Sequence, residues 1–326
     1  MRRRIDLAEA RSLLLSRTQL LASGMTERQL RADVQAGLLI RLHRGFYAPA
    51  AVLRDLWPEG RHLLRVLAVH AASPAPGPVF SHTSAAVVHG HPLYVTTEPP
   101  VQVVINGRRH SRIEAGVIRR DMAVAEADIV DVDGIRVTSL PRTVADIART
   151  MPREAAVAHA DSALRSFAVV GNVQDAEAAE HWRRTTLERV AVGTRGARQA
   201  RWVLHFADGR AQLPGESVSR LHLHTLGYTR LDLQIRVVGS AGDEYWLDFG
   251  FLGVKSFGEF DGLGKYTDAD MRAGLSMEDV LIREKLREDD VRGVTGWGFA
   301  RWGHEHIRTA DTLGRRLAAF RILPPG

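Results

Sequence analysis

Residues 7–48 carry a short-range rhythm of apolar and polar positions. Residues 7–15 are spaced as a first helix, and residues 17–23 as a shorter second one that stops at Gly24. Thr26 is a good N-cap, and Gln29 stands three residues on, in capping-box position. A third helix is predicted over 27–36, ending at Gly37, with Leu30 and Val34 as its apolar stripe. Arg28, Gln29 and Arg31 lie off that stripe. Residues 38–48 then alternate around Arg44-Gly45, which predicts a two-stranded wing carrying Arg41 and Arg44. Helix, short helix, turn, helix and wing together predict a winged helix-turn-helix. In that motif the third helix enters the DNA major groove and the wing touches the backbone.

The pattern loosens between residues 56 and 205. A helix is predicted over 60–72, followed by the proline-rich linker 73–78. A short helix within 80–90 is capped by Ser81 or Thr83, and strands are expected at 101–105, 116–119 and 134–138. Helices are expected over 139–149 and 153–167. His82, His89 and His91 are close in sequence, but their spacing matches no metal motif, so hydrogen-bonded structural histidines are the expectation. The basic segment 194–201 fits either a phosphate-tracking surface or the solvated face of a helix.

A different pattern organises the last third. Residues 245–251 and 254–261 are aromatic and β-prone, with Gly250 and Gly253 between them, and predict a hairpin. A helix over 217–226, preceded by Glu216 and closed at Gly227, comes before the hairpin. A helix near 276–292 and a strand at 299–302 follow it. Asp248 lies mid-strand between Leu247 and Phe249. Glu259 and Asp261 are two apart, hence on one face. A carboxylate in a half-buried strand is costly without a cation or a donor. Glu216, Asp248 and Glu259 are therefore candidate ligands for Mg²⁺ or Mn²⁺, which take hard oxygen donors. Lys265 is the candidate positive group beside them. The plainer alternative is the solvated face of an antiparallel sheet.

Composition changes this picture little. The chain has 326 residues, enough for two or three cores, and is 45% hydrophobic. Forty-four Lys and Arg face 38 Asp and Glu, a net charge of +6 that modestly favours a polyanionic partner. There is no cysteine, which excludes disulfides, thiolate metal sites and cysteine nucleophiles. Arg11 interrupts the first apolar stretch, so no signal sequence is expected, and no run approaches the ~18 apolar residues of a membrane span. A cytoplasmic protein with no membrane partner is the expectation. No phosphate-binding glycine loop, dinucleotide fingerprint, Ser-His-Asp spacing or internal repeat is present.

Two stretches resemble known families. The residues 20–24, 28–31, 37–41 and 43–48 resemble the N-terminal domain of the AbiEi-type antitoxin family, and 81–85, 89–90 and 141–146 resemble its middle region. That resemblance implies promoter binding, repression of the protein's own operon, and a cognate toxin as partner. The ordered set Glu216, Asp248, Glu259, Asp261-Gly262, Lys265-Tyr266, Arg283-Glu-Lys285, Arg287-Glu-Asp289, and Gly296-Trp297 followed by Phe299-Ala-Arg301, resembles the PD-(D/E)XK restriction-endonuclease-like superfamily, more narrowly its Vsr-like members. It implies Mg²⁺-dependent hydrolysis of duplex DNA. In the usual pattern a lysine stands two residues after the second acid; here that residue is Asp261, with Lys265 and Lys285 nearby. The expected fold is α+β and multidomain: a winged helix-turn-helix at 1–55, a middle α/β domain at 56–205, and a nuclease-like mixed sheet flanked by helices at 206–326. Two functions stay open, a DNA-cutting enzyme and a regulator whose nuclease-like domain does not cut.

Overall fold

A computed structural model describes residues 2–105, 112–114, 116–262 and 277–324. The chain forms two compact units, residues 1–151 with 184–202 and residues 152–183 with 203–326.

The first unit opens with local signals that satisfy their own backbone. Asp6 caps α1 (Leu7–Leu13) by accepting from the Glu9 amide. Ser16 and Gln19 form a capping box on α2 (Arg17–Ala22). On α3 (Glu27–Gln35), Thr26 Oγ1 accepts from the Gln29 amide at 3.2 Å, and Gln29 Oε1 accepts from the Thr26 amide at 2.8 Å. Each box fills two amides that the first helical turn leaves without partners. The first helix stops short of the predicted Leu15 because Leu15, with Ser16, forms β1 (Leu15–Ser16), paired with Tyr47 and Phe46. The wing is β2 (Leu39–His43) and β3 (Phe46–Pro49), and the three strands are ordered β1-β3-β2. Leu20, Leu30, Leu39 and Tyr47 are buried together beneath α2 and α3.

The chain continues through α4 (Ala50–Arg54) and α5 (Pro58–Ala71) into a second sheet. Its strands are β4 (Val79–Phe80), β5 (Val101–Ile105), β6 (Arg112–Glu114), β7 (Val117–Asp121), β8 (Ile129–Val132) and β9 (Ile135–Thr138), in the order β6-β7-β5-β4-β9-β8. β4, β6 and β8 add to the strands expected from sequence. All are short, and β4 is two residues long. The helices α6 (His82–Val88) and α7 (Leu140–Thr150) pack with this sheet. One apolar cluster runs from Ala10, Leu42 and Ala48 through Leu64, Phe80 and Val103 to Ile147, so the wing and the second sheet share a core.

The second unit contains α8 (Arg153–Ala168), the small ribbon β10 (Val169–Val170) and β11 (Val173–Gln174), and α11 (Pro214–Thr225). The unit boundaries at 183/184 and 202/203 fall inside α9 (Ala176–Leu187) and α10 (Ala197–Phe206). Its sheet is ordered β12 (Leu231–Val238), β13 (Glu244–Phe251), β14 (Ser256–Asp261), β15 (Gly298–Gly303). The predicted hairpin is β13–β14, and β15 lies parallel to β14 after α12 (Met277–Thr295). β12 and a last helix, α13 (Ala310–Ala318), are additions to the sequence-based expectation.

Helices cover both faces of this sheet. On one face Trp302, 1% exposed, donates from Nε1 to Ser219 Oγ of α11 at 2.9 Å. A Cβ at Gly258 would meet the Trp302 ring at 2.5 Å, so only glycine lets the ring lie across β14. On the other face Val291 of α12 packs with Phe257 and Phe299. α8 is tied to α11 by a buried pair in which Arg220 Nη2 donates to both Asp161 carboxylate oxygens at 2.9 Å.

Candidate functional site

Two groups of side chains are candidates, one in each unit. In the first unit, the capping box fixes the start of α3 and so fixes which of its residues face solvent. Arg28, Gln29 and Arg31 are exposed on α3, and Arg41 and Arg44 on the wing. Among the described residues, none of the four arginines makes an ion pair or a side-chain hydrogen bond. By contrast Arg17, on α2, is tied to Glu27. Gln29 has one end committed, because its Oε1 receives both Thr26 N and Thr26 Oγ1. Its amide nitrogen remains to donate outward. Burial and the neighbouring Arg41 charge hold the His43 ring below the ordinary imidazole range, so this face carries guanidinium charge and no imidazolium at neutral pH.

In the second unit, the sheet loosens at Gln234, whose φ of +51° breaks the regular run of β12. The β12–β13 ladder pairs Leu233 with Phe249 and Ile235 with Leu247, but skips Gln234 and Asp248. Asp248 there serves both flanking strands. Its Oδ2 accepts from the Phe260 amide of β14 at 2.9 Å, and Gln234 Nε2 lies 3.5 Å from its Oδ1. Gln234 Oε1 accepts in turn from Gln212 Nε2 at 3.2 Å, and the Gln212 amide donates to Glu216 Oε2 at 2.8 Å. Glu216 and Asp248, both buried, thus belong to one network, joined through buried Gln234 and exposed Gln212.

Glu259 belongs to another. It is 1% exposed and holds two arginines, Arg287 of α12 at Oε1 and Arg301 of β15 at 3.2 Å from Oε2. Arg301 also lies 2.8 Å from Glu284, 3.1 Å from Glu288 and 3.9 Å from Asp261. Burial pulls the Arg301 pKa down, but Glu259, Glu284 and Asp261 outweigh it and hold it above the ordinary arginine value. Glu259 and Asp261 do meet on one face, as their spacing predicts, and the cation they share is a guanidinium.

This arrangement does not fit Mg²⁺ or Mn²⁺ at Glu259. Both of its oxygens face guanidinium groups, and a divalent ion there would lie against two positive charges. Among the described residues, no three His, Asp or Glu side chains converge in a metal-holding group. Lys265 falls outside the described residues. Gln212 and Gln234 were not among the sequence-derived candidates, and Arg287 and Arg301 stood in the stretches that carry the nuclease resemblance without a role of their own. The signal for Arg301 was available: an arginine between Ala300 and Trp302 in an apolar strand needs a buried carboxylate.

The three histidines of the middle region have protein partners or deep burial. His82 Nδ1 lies 3.0 Å from Ser81 Oγ, His89 Nε2 lies 2.9 Å from the Thr138 carbonyl, and His91 is 6% exposed. No described helix is long and apolar enough to cross a membrane.

With this geometry in place, residues 3–50 match the family model described as "Transcriptional regulator, AbiEi antitoxin". The matched segment spans the capped helices and the wing. The chain is also 28% identical over 247 residues to "Uncharacterized protein MT2308" of Mycobacterium tuberculosis strain CDC 1551 / Oshkosh, a match covering 73% of this chain and 79% of that protein. "Uncharacterized protein Rv2248" of Mycobacterium tuberculosis strain ATCC 25618 / H37Rv matches with the same identity and coverage.

Proposed function

We propose that the protein is a DNA-binding transcriptional regulator that docks α3 in a major groove and the wing on the flanking backbone. The observation that carries this is the set of exposed arginines, Arg28, Arg31, Arg41 and Arg44, none of them engaged by a carboxylate among the described residues. Unpaired surface arginines arranged around a capped helix are free to exchange water and counterions for phosphate oxygens. Gln29, anchored at its carbonyl end, would present its amide as a donor to a base-edge acceptor. The antitoxin-type match over 3–50 supports the regulator role and, in general terms, a toxin partner. The natural target is the protein's own promoter. A gel shift on that promoter tests the assignment. Arg28→Ala with Arg31→Ala should weaken specific binding by about 10- to 100-fold, and Arg44→Ala should lower the salt slope by about one. Unchanged binding in the double variant would assign recognition elsewhere.

A second reading, hydrolysis of DNA by the other unit, draws on the network that joins Glu216 to Asp248. It requires Glu259 to leave both arginines. Plasmid incubated with and without EDTA decides it. Nicking that stops in Glu259→Ala would establish the enzyme, and intact plasmid leaves a regulator.

A further inference from the structure

The first unit gathers more positive charge between α6, α7 and β7 than it neutralises. Asp146 of α7 is 1% exposed. Arg142 Nε donates to its Oδ2 at 2.9 Å, and Arg149 Nη1 lies 3.6 Å from its Oδ1. Arg120 of β7 also acts on this carboxylate, and donates from Nε to Gln102 Oε1 at 2.8 Å. Gln102 is buried and fixed in turn: its Nε2 donates to Thr83 Oγ1 at 2.8 Å and its backbone amide to Ser84 Oγ at 2.9 Å. His82, 2% exposed and held at a left-handed φ of +51°, faces all three arginines.

Three guanidinium groups against one carboxylate leave a charge of +2, and His82, whose pKa burial pushes down to about 3, stays neutral. Each arginine commits its Nε to a protein acceptor, Asp146, Gln102 or the Arg195 carbonyl. The Nη groups of Arg120 and Arg142 carry no hydrogen bond among the described residues. The Arg142 and Arg149 side chains keep 13% and 21% of their surface exposed, so solvent reaches the cluster. Anchored stems, with the Nη groups of Arg120 and Arg142 left unbonded around one carboxylate, are an arrangement that can grip a tetrahedral oxyanion.

We infer that Arg120, Arg142 and Arg149, floored by His82 and Asp146, form a binding site for a terminal phosphate group. A phosphate monoester carries about −1.5 to −2 at neutral pH and matches the excess charge. An internal phosphodiester of duplex DNA carries one charge and runs along a convex surface. A cluster of half-buried arginines over buried His82 and Asp146 suits it less.

The full chain would be titrated calorimetrically with inorganic phosphate, with adenosine 5′-monophosphate, with adenosine as the uncharged control, and with a short DNA duplex. Phosphate and the monophosphate should bind and raise the melting temperature, while adenosine should do neither. Arg120→Gln should weaken both by roughly tenfold or more, as expected for lost charge-assisted hydrogen bonds, and Arg120→Lys should fall between. Circular dichroism confirms that each variant is folded. The site is overturned if wild-type protein shows neither binding nor stabilisation with both phosphate probes, if Arg120→Gln binds them equally well, or if only the duplex responds to the Arg120 variants. The wild-type titration decides the question even if Arg120→Gln misfolds.

Discussion

At the scale of single residues, burial decides the chemistry more than residue type does. Burial holds the pKa of His62 and His82 at about 3 and that of His91 at about 4, against an ordinary 6.5. Below pH 6.5 the unfolded chain takes protons that these folded rings refuse. Their contribution to stability is therefore complete above about pH 6.5 and is lost as the pH falls toward 3 to 4. Each should lose about 1.4 kcal/mol per pH unit in that window. Urea midpoints should drop clearly between pH 7 and pH 5. His62→Gln, which can keep a hydrogen bond to Ser84, should flatten that slope, and a midpoint independent of pH would show the rings to be solvated. Glu259 makes the converse case. Glu259→Gln leaves two arginines facing a neutral amide, and should cost about 2–4 kcal/mol, the lower part of the range for a broken buried pair because both arginines retain some solvent. A variant as stable as wild type in urea would show that water already carries those charges. Asp248 and Glu259 could be picked out from sequence because carboxylates in apolar strands stand out. That Arg301 needs a buried carboxylate was legible, but which one was not, because Arg287 and Arg301 lie 28 and 42 positions beyond Glu259 and reach it from α12 and from the parallel return of β15.

Elements built from local signals were legible, and those defined by distant partners less so. The segment 7–48 follows from caps, stops and alternation within a few residues of one another, and its capping box and wing lie where the sequence puts them. β1 was not legible, because Leu15 reads as the end of a helix until β3 pairs with it and with Ser16. β12 could have been found from the alternation of Leu231, Leu233, Ile235 and Val237. The hairpin that follows it drew attention because it carries the carboxylates. The local character of α3 gives a direct test. Thr26→Ala removes the hydroxyl that accepts from the Gln29 amide, leaves Gln29 Oε1 on the backbone amide of residue 26, and should cost about 1 kcal/mol. Because the frayed turn carries Arg28 and Gln29, DNA affinity in a gel shift should fall with stability. Full affinity in that variant would mean that the first turn of α3 does not meet the DNA.

At the scale of the whole molecule, the two candidate sites belong to different units and should fail separately. Arg28→Ala with Arg31→Ala should weaken promoter binding by the same roughly 10- to 100-fold while leaving the urea midpoint within about 0.5 kcal/mol of wild type, as surface substitutions do. Glu259→Gln should lower the midpoint and leave promoter affinity unchanged where the chain is still folded. Loss of promoter binding in the folded Glu259→Gln protein would reveal coupling that separate sites do not provide. The interleaving of the chain has a further consequence, for the order in which the protein is made. Residues 1–151 leave the ribosome without 184–202, which complete their unit, and 152–183 emerge before the sheet to which they belong. Asp161 of α8 waits 59 residues for Arg220. Vectorial synthesis therefore cannot close one unit before starting the other, as it can for beads on a string. During translation the nascent α8 therefore carries Asp161 without its guanidinium partner until α11 has emerged.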